Sequence, residues 1–363
     1  MIDRARVLLV GVLLMAFAPV LRSAALSPKA ELRRSLATLV ESMYPDARSG
    51  ATVLVARDSS IVYRAARGQA DVARHVAMKI GAPLRIGSMT KQLVAVAVLM
   101  LAESGRLSLD DPLSRFIPDY PNGAQIPIRT LLNHTSGIKS YTELSEVLAG
   151  PIWHEATTRQ VIASFSHAPP NFAPSQGFAY SNSNYILLGA VIESKTGMPW
   201  HEYVRRALLE PLGMSHTGFV VNAAQKTFAK GHSTEDDTVV PAAPIGMNWA
   251  GAAAGLFSTV DDLLIWNRAL HGGRILGPGA YRMMTSPSGK AATGHYGFGV
   301  AIEDIGGHRG YGHSGALNGF ASCMVFVPDT RVTVVILENN DGGEKGNGPC
   351  ALVHKLAAIA SFQ

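Results

Sequence analysis

Arg85-Ile86-Gly87-Ser88-Met89-Thr90-Lys91, followed without a break by the apolar run from Gln92 to Ala102, is the stretch from which the rest of the chain can be placed. A helix beginning near Ser88 carries Lys91 one turn further on the same face. A hydroxyl is a poor nucleophile near neutral pH because its proton must leave as it attacks, and an amine within hydrogen-bond reach can take that proton. The run after Lys91 is apolar on every side, which predicts a buried helix and a serine held in place rather than carried on a surface loop. The same letters also describe a serine capping a buried helix beside a solvated lysine. Ser136-Gly137-Ile138-Lys139 repeats the spacing, so the surroundings must decide.

The 363 residues are 47% apolar, ample for a sizeable core in one large or two interlocked domains. Residues 1–25 read as a secretory signal: Arg4 and Arg6, an apolar stretch from Val7 to Leu21, then Ser23-Ala24-Ala25 as a small-residue cleavage site. That stretch, interrupted by Pro19, is short of the ~20 residues that span a bilayer. An exported chain, periplasmic or secreted, with no stable membrane span after signal removal is therefore expected. Cleavage would lower the formal charge from +5 to +3. With no Lys/Arg-rich block, a nucleic-acid partner is excluded. Cys323 and Cys350 are the only cysteines; their spacing is compatible with a disulfide of an exported protein or with two buried thiols, and does not choose between them.

Residues 51–56 and 61–64, separated by Asp58-Ser59-Ser60, read as a β-hairpin. Helices are predicted over 158–166, 183–196 (closed by Gly197), 200–209, from Thr259 to Gly272, and over 350–361. Strands are predicted over 296–302, 319–327 and 332–337. Strands at both ends and helices between them make a mainly antiparallel sheet built from both termini, with a helical region inserted.

Ser136-x-x-Lys139 is a weak rival to Ser88-x-x-Lys91, because Gly137 follows its serine and no apolar helix follows its lysine. Gly312-His313-Ser314-Gly315-Ala316 is reminiscent of the nucleophile elbow of α/β-hydrolases, but Ala316 stands where that elbow has glycine and a strand-like run follows in place of a helix. An α/β-hydrolase using Ser314 is kept as an alternative. Tyr180-Ser181-Asn182 precedes a helix; a phenol can shuttle a proton, and an Asn amide can both donate to and accept from a substrate amide. No HExxH and no Cys/His ligand spacing is present, so neither a metal nor a cofactor is expected.

Taken in order, Ser88-x-x-Lys91, Tyr180-x-Asn182 and His313-Ser314-Gly315, with the contexts RIGSMTKQ, LLNHTSG, FAYSNSNYILLG, GLFSTVDDLLIW and GYGHSGALNGF, resemble the serine β-lactamase and penicillin-binding-protein superfamily, in its class C β-lactamase-like branch. The resemblance implies an α/β fold of the α+β type: a mainly antiparallel five-stranded sheet flanked by helices, with an inserted all-helical subdomain and the active site between them. On this basis residues 26–363 form one hydrolase domain, with a sheet subdomain (26–90 and 286–363) and a helical subdomain (91–285). It implies Ser88 as acylated nucleophile, Lys91 as its base partner and Tyr180 as proton relay. Asn182, His313, Ser314 and Gly315 would bind substrate, and the N–H groups of Ser88 and Ala316 would form the oxyanion hole. His313 departs from the branch members that bind a free carboxylate through Lys at this place, because an unperturbed imidazole is mostly neutral at pH 7. The expected function is an exported serine hydrolase acting through an acyl-enzyme on a D-amino-acid peptide, a small ester or, less readily, a β-lactam. Its partner is a small molecule or a peptide, a cell-wall peptide among the candidates. A non-turnover penicillin-binding or sensing module is the other alternative.

Overall fold

The computed structural model describes residues 27–220, 229–236, 238–341 and 348–362; the signal expected over 1–25 lies outside them. Six strands form the main sheet: β1 (Ala51–Arg57), β2 (Ser60–Arg67), β3 (Ala301–Ile305), β4 (His308–Leu317), β5 (Phe320–Val327) and β6 (Val332–Glu338). Their order is β3-β4-β5-β6-β1-β2, antiparallel throughout. The first and last strands in sequence thus meet at the centre, where Ala51 pairs with Glu338 and Arg57 with Val332.

Both faces of this sheet are covered, which explains why β1 reads Ala-Thr-Val-Leu-Val-Ala instead of alternating apolar with polar. On one face lie α1 (Pro28–Met43) and the C-terminal helix Pro349–Phe362, whose Leu36, Val40, Leu352 and Leu356 pack on Val53, Val55, Val325 and Ile336. Helix α1 escaped the sequence reading, although Ser27 caps it and Leu32, Leu36 and Val40 repeat every four residues. On the other face Leu54, Met324, Val335 and Leu337 meet α2 (Thr90–Glu103) in the larger core. A disulfide joins Cys323 of β5 to Cys350 of the C-terminal helix.

Three expectations need correction. The sheet has six strands where five were expected, the unforeseen one being β4. The strand expected over 296–302 starts at Ala301, because Gly299 has φ +71° and a side chain there would meet the Lys91 carbonyl at 2.7 Å. Residues 296–300 therefore loop closely over the start of α2. Nor is 91–285 all helical. It holds Leu256–Ser258, which pairs with Leu84–Arg85 and Gly218–Phe219, and its helix Val260–His271 lies against β6 and β1 of the main sheet.

Strand β4 hides in the sequence because it carries Gly310, Gly312 and Gly315. A Cβ on Gly315 would sit 2.0 Å from the Ile86 carbonyl, so the composition that disguises the strand is what lets it approach the Ser88 turn.

Candidate active site

Ser88 occupies a 3-10 turn, Gly87–Met89, that runs directly into α2. The turn is pinned from two sides. Ile86 N–H donates to the Leu256 carbonyl (3.0 Å), and Leu256 N–H donates to Thr90 Oγ1 (3.1 Å). Gly87 has φ +51°, and a Cβ on it would stand 2.5 Å from the Ala316 amide nitrogen. Glycine is required there on both counts, and the close approach brings the Ser88 turn against the start of Ala316.

Lys91, fully buried, sits at the centre of the site. Its Nζ lies 2.9 Å from Ser88 Oγ, donates to Asn182 Oδ1 (2.8 Å) and donates to the Ala253 carbonyl (2.9 Å). Burial pushes the amine well below its ordinary range. The Tyr180 ring lies 4.8 Å from Nζ, and Ser88 stands close enough to its hydroxyl to pull the phenol toward ionisation. Burial raises the Tyr180 phenol above its usual value, against the opposing pull of Ser88.

Asn182 opens the helix Asn182–Thr196, where its backbone N–H donates to Ser140 Oγ (3.1 Å) and its Nδ2 donates to Thr142 Oγ1 (3.1 Å). The amide is therefore oriented, oxygen toward Lys91, by a loop that no motif singled out. Ala253 was equally invisible, since it contributes a backbone carbonyl and its side-chain type carries no signal. Its position comes from a kink at Gly251, φ +40°, within Met247–Ala254.

Strand β4 forms the facing wall. Strand β3 pairs with it only from His308 to Gly312, so from His313 onward its outer edge is open to the cleft. Ser314 is exposed, Gly315 packs on Ile86, and the Ala316 amide lies beside Gly87. The His313 side chain behaves differently from the other two members of its motif. It is buried, its Nδ1–H donates to the Ser314 carbonyl (2.5 Å), and its Nε2 lies 2.7 Å from the Tyr296 hydroxyl. Burial, with Lys91 nearby, pushes its imidazole down to about 3.

The rival motifs are also placed. Ser136 Oγ is buried, donates to Asn184 Oδ1 (2.7 Å) and accepts from the Ile138 N–H (3.1 Å). Ser314 lies mid-strand in β4 rather than on a strand-to-helix turn, so the elbow geometry that the α/β-hydrolase alternative needs is absent. A cleft of about 590 Å³ is lined by Arg85, Met247, Leu317 and Asn318 among others, and Ser88, Lys91, Tyr180 and Asn182 are not in its lining.

The beta-lactamase family model matches residues 36–359. The chain belongs to the beta-lactamase family. Within it, this protein is 27% identical over 296 residues to a putative penicillin-binding protein of Bacillus subtilis, covering 81% of this chain and 71% of that one. It is 30% identical over 301 residues to the D-aminopeptidase of Brucella canis, covering 81% of this chain but 57% of that longer protein. The crystal structure of a D-stereospecific amidohydrolase from Streptomyces superposes with a TM-score of 0.76 at 26% identity, covering 87% of this chain and 97% of that one. The beta-lactamase-family fold and the serine hydrolase class are thereby established for the chain.

Proposed function

We propose that the protein is an amidohydrolase that forms an acyl-enzyme at Ser88 and acts on amides or short peptides of D-amino acids. The observation that carries the mechanism is the set of partners around Lys91. A neutral amine has two N–H bonds and one lone pair. Asn182 Oδ1 and the Ala253 carbonyl can only accept, so they take both N–H bonds. The remaining tetrahedral direction, toward Ser88 Oγ, then holds the lone pair. The depressed basicity of Lys91 favours the neutral amine, ready to receive the serine proton.

Tyr180 enters as an acid. A phenol raised above its ordinary value keeps its proton at neutral pH. It is in contact with Ser88 and close to Lys91, so it can pass a proton to the leaving nitrogen as the tetrahedral intermediate collapses. The oxyanion of that intermediate would be held by the N–H groups of Ser88 and Ala316, whose relative position is fixed by the contact of Gly87 with Ala316. The Asn182 Nδ2 hydrogen not given to Thr142 and the exposed Ser314 hydroxyl are left to orient the substrate.

The substrate class rests on two supports. The relatives include a D-aminopeptidase and a D-stereospecific amidohydrolase by name, and the strand side of the cleft presents a neutral His313 in place of a fixed cation. Export is proposed on the signal-like segment 1–25 and on the Cys323–Cys350 disulfide, since such bonds persist in oxidising compartments. A panel of D- and L-amino-acid amides, dipeptides, p-nitrophenyl esters and a penicillin tests the reading. Turnover of D-amides and D-peptides above their L-counterparts is expected; turnover of esters alone would overturn the amidase assignment. An acyl-enzyme that persists for hours would identify a penicillin-binding sensor instead.

A further inference from the structure

We infer that Tyr296 is a positioning residue that locks His313 as a neutral Nδ1–H imidazole, and that this pair makes the strand side of the cleft select substrates without a carboxylate on the leaving group. The inference rests on the proposed acyl-enzyme chemistry for its link to substrate, but its structural half stands on the hydrogen bonds alone.

A carbonyl oxygen can only accept, so the 2.5 Å contact between His313 Nδ1 and the Ser314 carbonyl requires the proton on Nδ1. Nε2 then carries the lone pair, and the Tyr296 hydroxyl 2.7 Å away donates to it. Both nitrogens are thereby used inside the protein, and neither is left for a substrate. Tyr296 is itself buried at 4% exposure and stands edge-on to the Tyr180 ring, 5.9 Å between centroids. His134 packs 4.8 Å from Tyr296 and 4.3 Å from Tyr180.

Among the described residues, the groups that face His313 come from four elements. They are Lys91 on α2, Tyr180 before the helix Asn182–Thr196, His134 in the loop after Ile128–Leu132, and Tyr296 with Tyr185 behind it. None is a carboxylate. Glu303, on the neighbouring strand near Gly312, is engaged with His354. Protonating His313 would require Tyr296 to stop donating and would place a charge on a buried ring, so the pair resists charging. Without the Tyr296 hydroxyl, Nε2 loses the donor that holds its lone pair, and protonation no longer has to displace a hydrogen bond.

The test uses the whole protein with ¹⁵N-labelled histidine. In the wild type, the His313 ring, assigned by its loss in His313→Gln, is expected to show one pyrrole-like Nδ1 and one pyridine-like Nε2 from pH 5 to 8. In Tyr296→Phe, where the ring stays buried but Nε2 loses its donor, the Nε2 resonance is expected to shift and protonation to begin at higher pH than in the wild type. A wild-type His313 that titrates in that range, or a Tyr296→Phe spectrum identical to the wild type, would overturn the inference. The specificity half is read from the ratio of kcat/KM for D-Phe-D-Ala to that for D-Phe-D-alaninamide, which differ only in the terminal carboxylate; the ratio cancels the titration of Lys91 and Tyr180. It should be flat with pH in the wild type and rise toward pH 5.5 in Tyr296→Phe, as the ring released from Tyr296 begins to take a proton. A flat ratio in Tyr296→Phe contradicts that half. If neither compound is turned over, the D-peptide substrate proposed above fails and the specificity half fails with it, while the nitrogen spectrum still decides whether Tyr296 locks His313.

Discussion

Lys91 Nζ lies 2.9 Å from Ser88 Oγ with two further acceptors, Asn182 Oδ1 and the Ala253 carbonyl, on its remaining valences. Replacing Lys91 by Met keeps the length of the side chain and deletes the base. Acylation should slow by about 10²- to 10⁴-fold, the usual worth of a positioned general base, with little change in substrate affinity. Stopped-flow acylation by an activated ester checks this; an unaltered rate would reassign the base to Tyr180.

The basicity of Lys91 also sets a pH dependence. Its depressed value in the fold means that the neutral, reactive form persists to lower pH than for a free lysine. Activity should therefore extend to lower pH than a free lysine would allow and fall on the acid side as Lys91 gains its proton. In Asn182→Ala one acceptor is lost and the amine is no longer held in line, so kcat should fall while the acid limb remains. The pH profiles of kcat/KM for the two proteins make the comparison.

Much of the site was legible in the sequence, and the reasons are specific. Ser88, Lys91, Tyr180 and Asn182 lie at the starts of two helices, where short-range spacing determines geometry, and the structure brings all four together. Ser314 and Gly315 were legible as a strand wall only through family resemblance, since three glycines make β4 look like a loop. The burial of His313 was not legible, because Tyr296 comes from a glycine-rich loop that reads as a strand. The contribution of Ala253 is a backbone carbonyl delivered by a kink. Helix α1 was missed despite its cap, and β3 starts later than its composition suggests because Gly299 turns the chain at φ +71°.

The close packing of Gly87 on Ala316 predicts a severe effect from a single methyl group. Gly87→Ala would force a Cβ to within 2.5 Å of the Ala316 amide nitrogen on a backbone of φ +51°. Turnover should drop by at least the ~10²-fold that follows loss of one oxyanion donor, and the melting temperature should fall with it. Activity close to wild type would show that Ala316 is not the second donor.

The disulfide closes a loop with a sequence separation of 27 residues. Loop-closure entropy assigns it roughly 3–4 kcal/mol. Cys323→Ala with Cys350→Ala should lower the denaturant midpoint without abolishing acylation, because the bond lies on the face of the sheet turned away from Ser88. Urea titration of the two proteins measures it.

Glu338 links stability to pH. Its carboxyl, near the Tyr44 hydroxyl at 3.4 Å, is pushed up to about 7 by burial. Because this folded value exceeds the ~4.3 of an unfolded Glu, the folded state holds the proton more tightly. Its contribution to stability is full below about pH 4.3 and is lost as pH rises through about 7. Glu338→Gln should flatten that part of the stability profile, read as melting temperature between pH 4.5 and 8.

The central claim is that Ser88 is acylated with Lys91 as its base, and intact-mass spectrometry tests it most directly. After exposure to a fluorophosphonate, an activated ester and a penicillin, at least one single-site adduct is expected. It should map to the peptide carrying Ser88, be absent in Ser88→Ala and form far more slowly in Lys91→Met. No adduct with any of the three probes, or an adduct that survives in Ser88→Ala, would contradict the account.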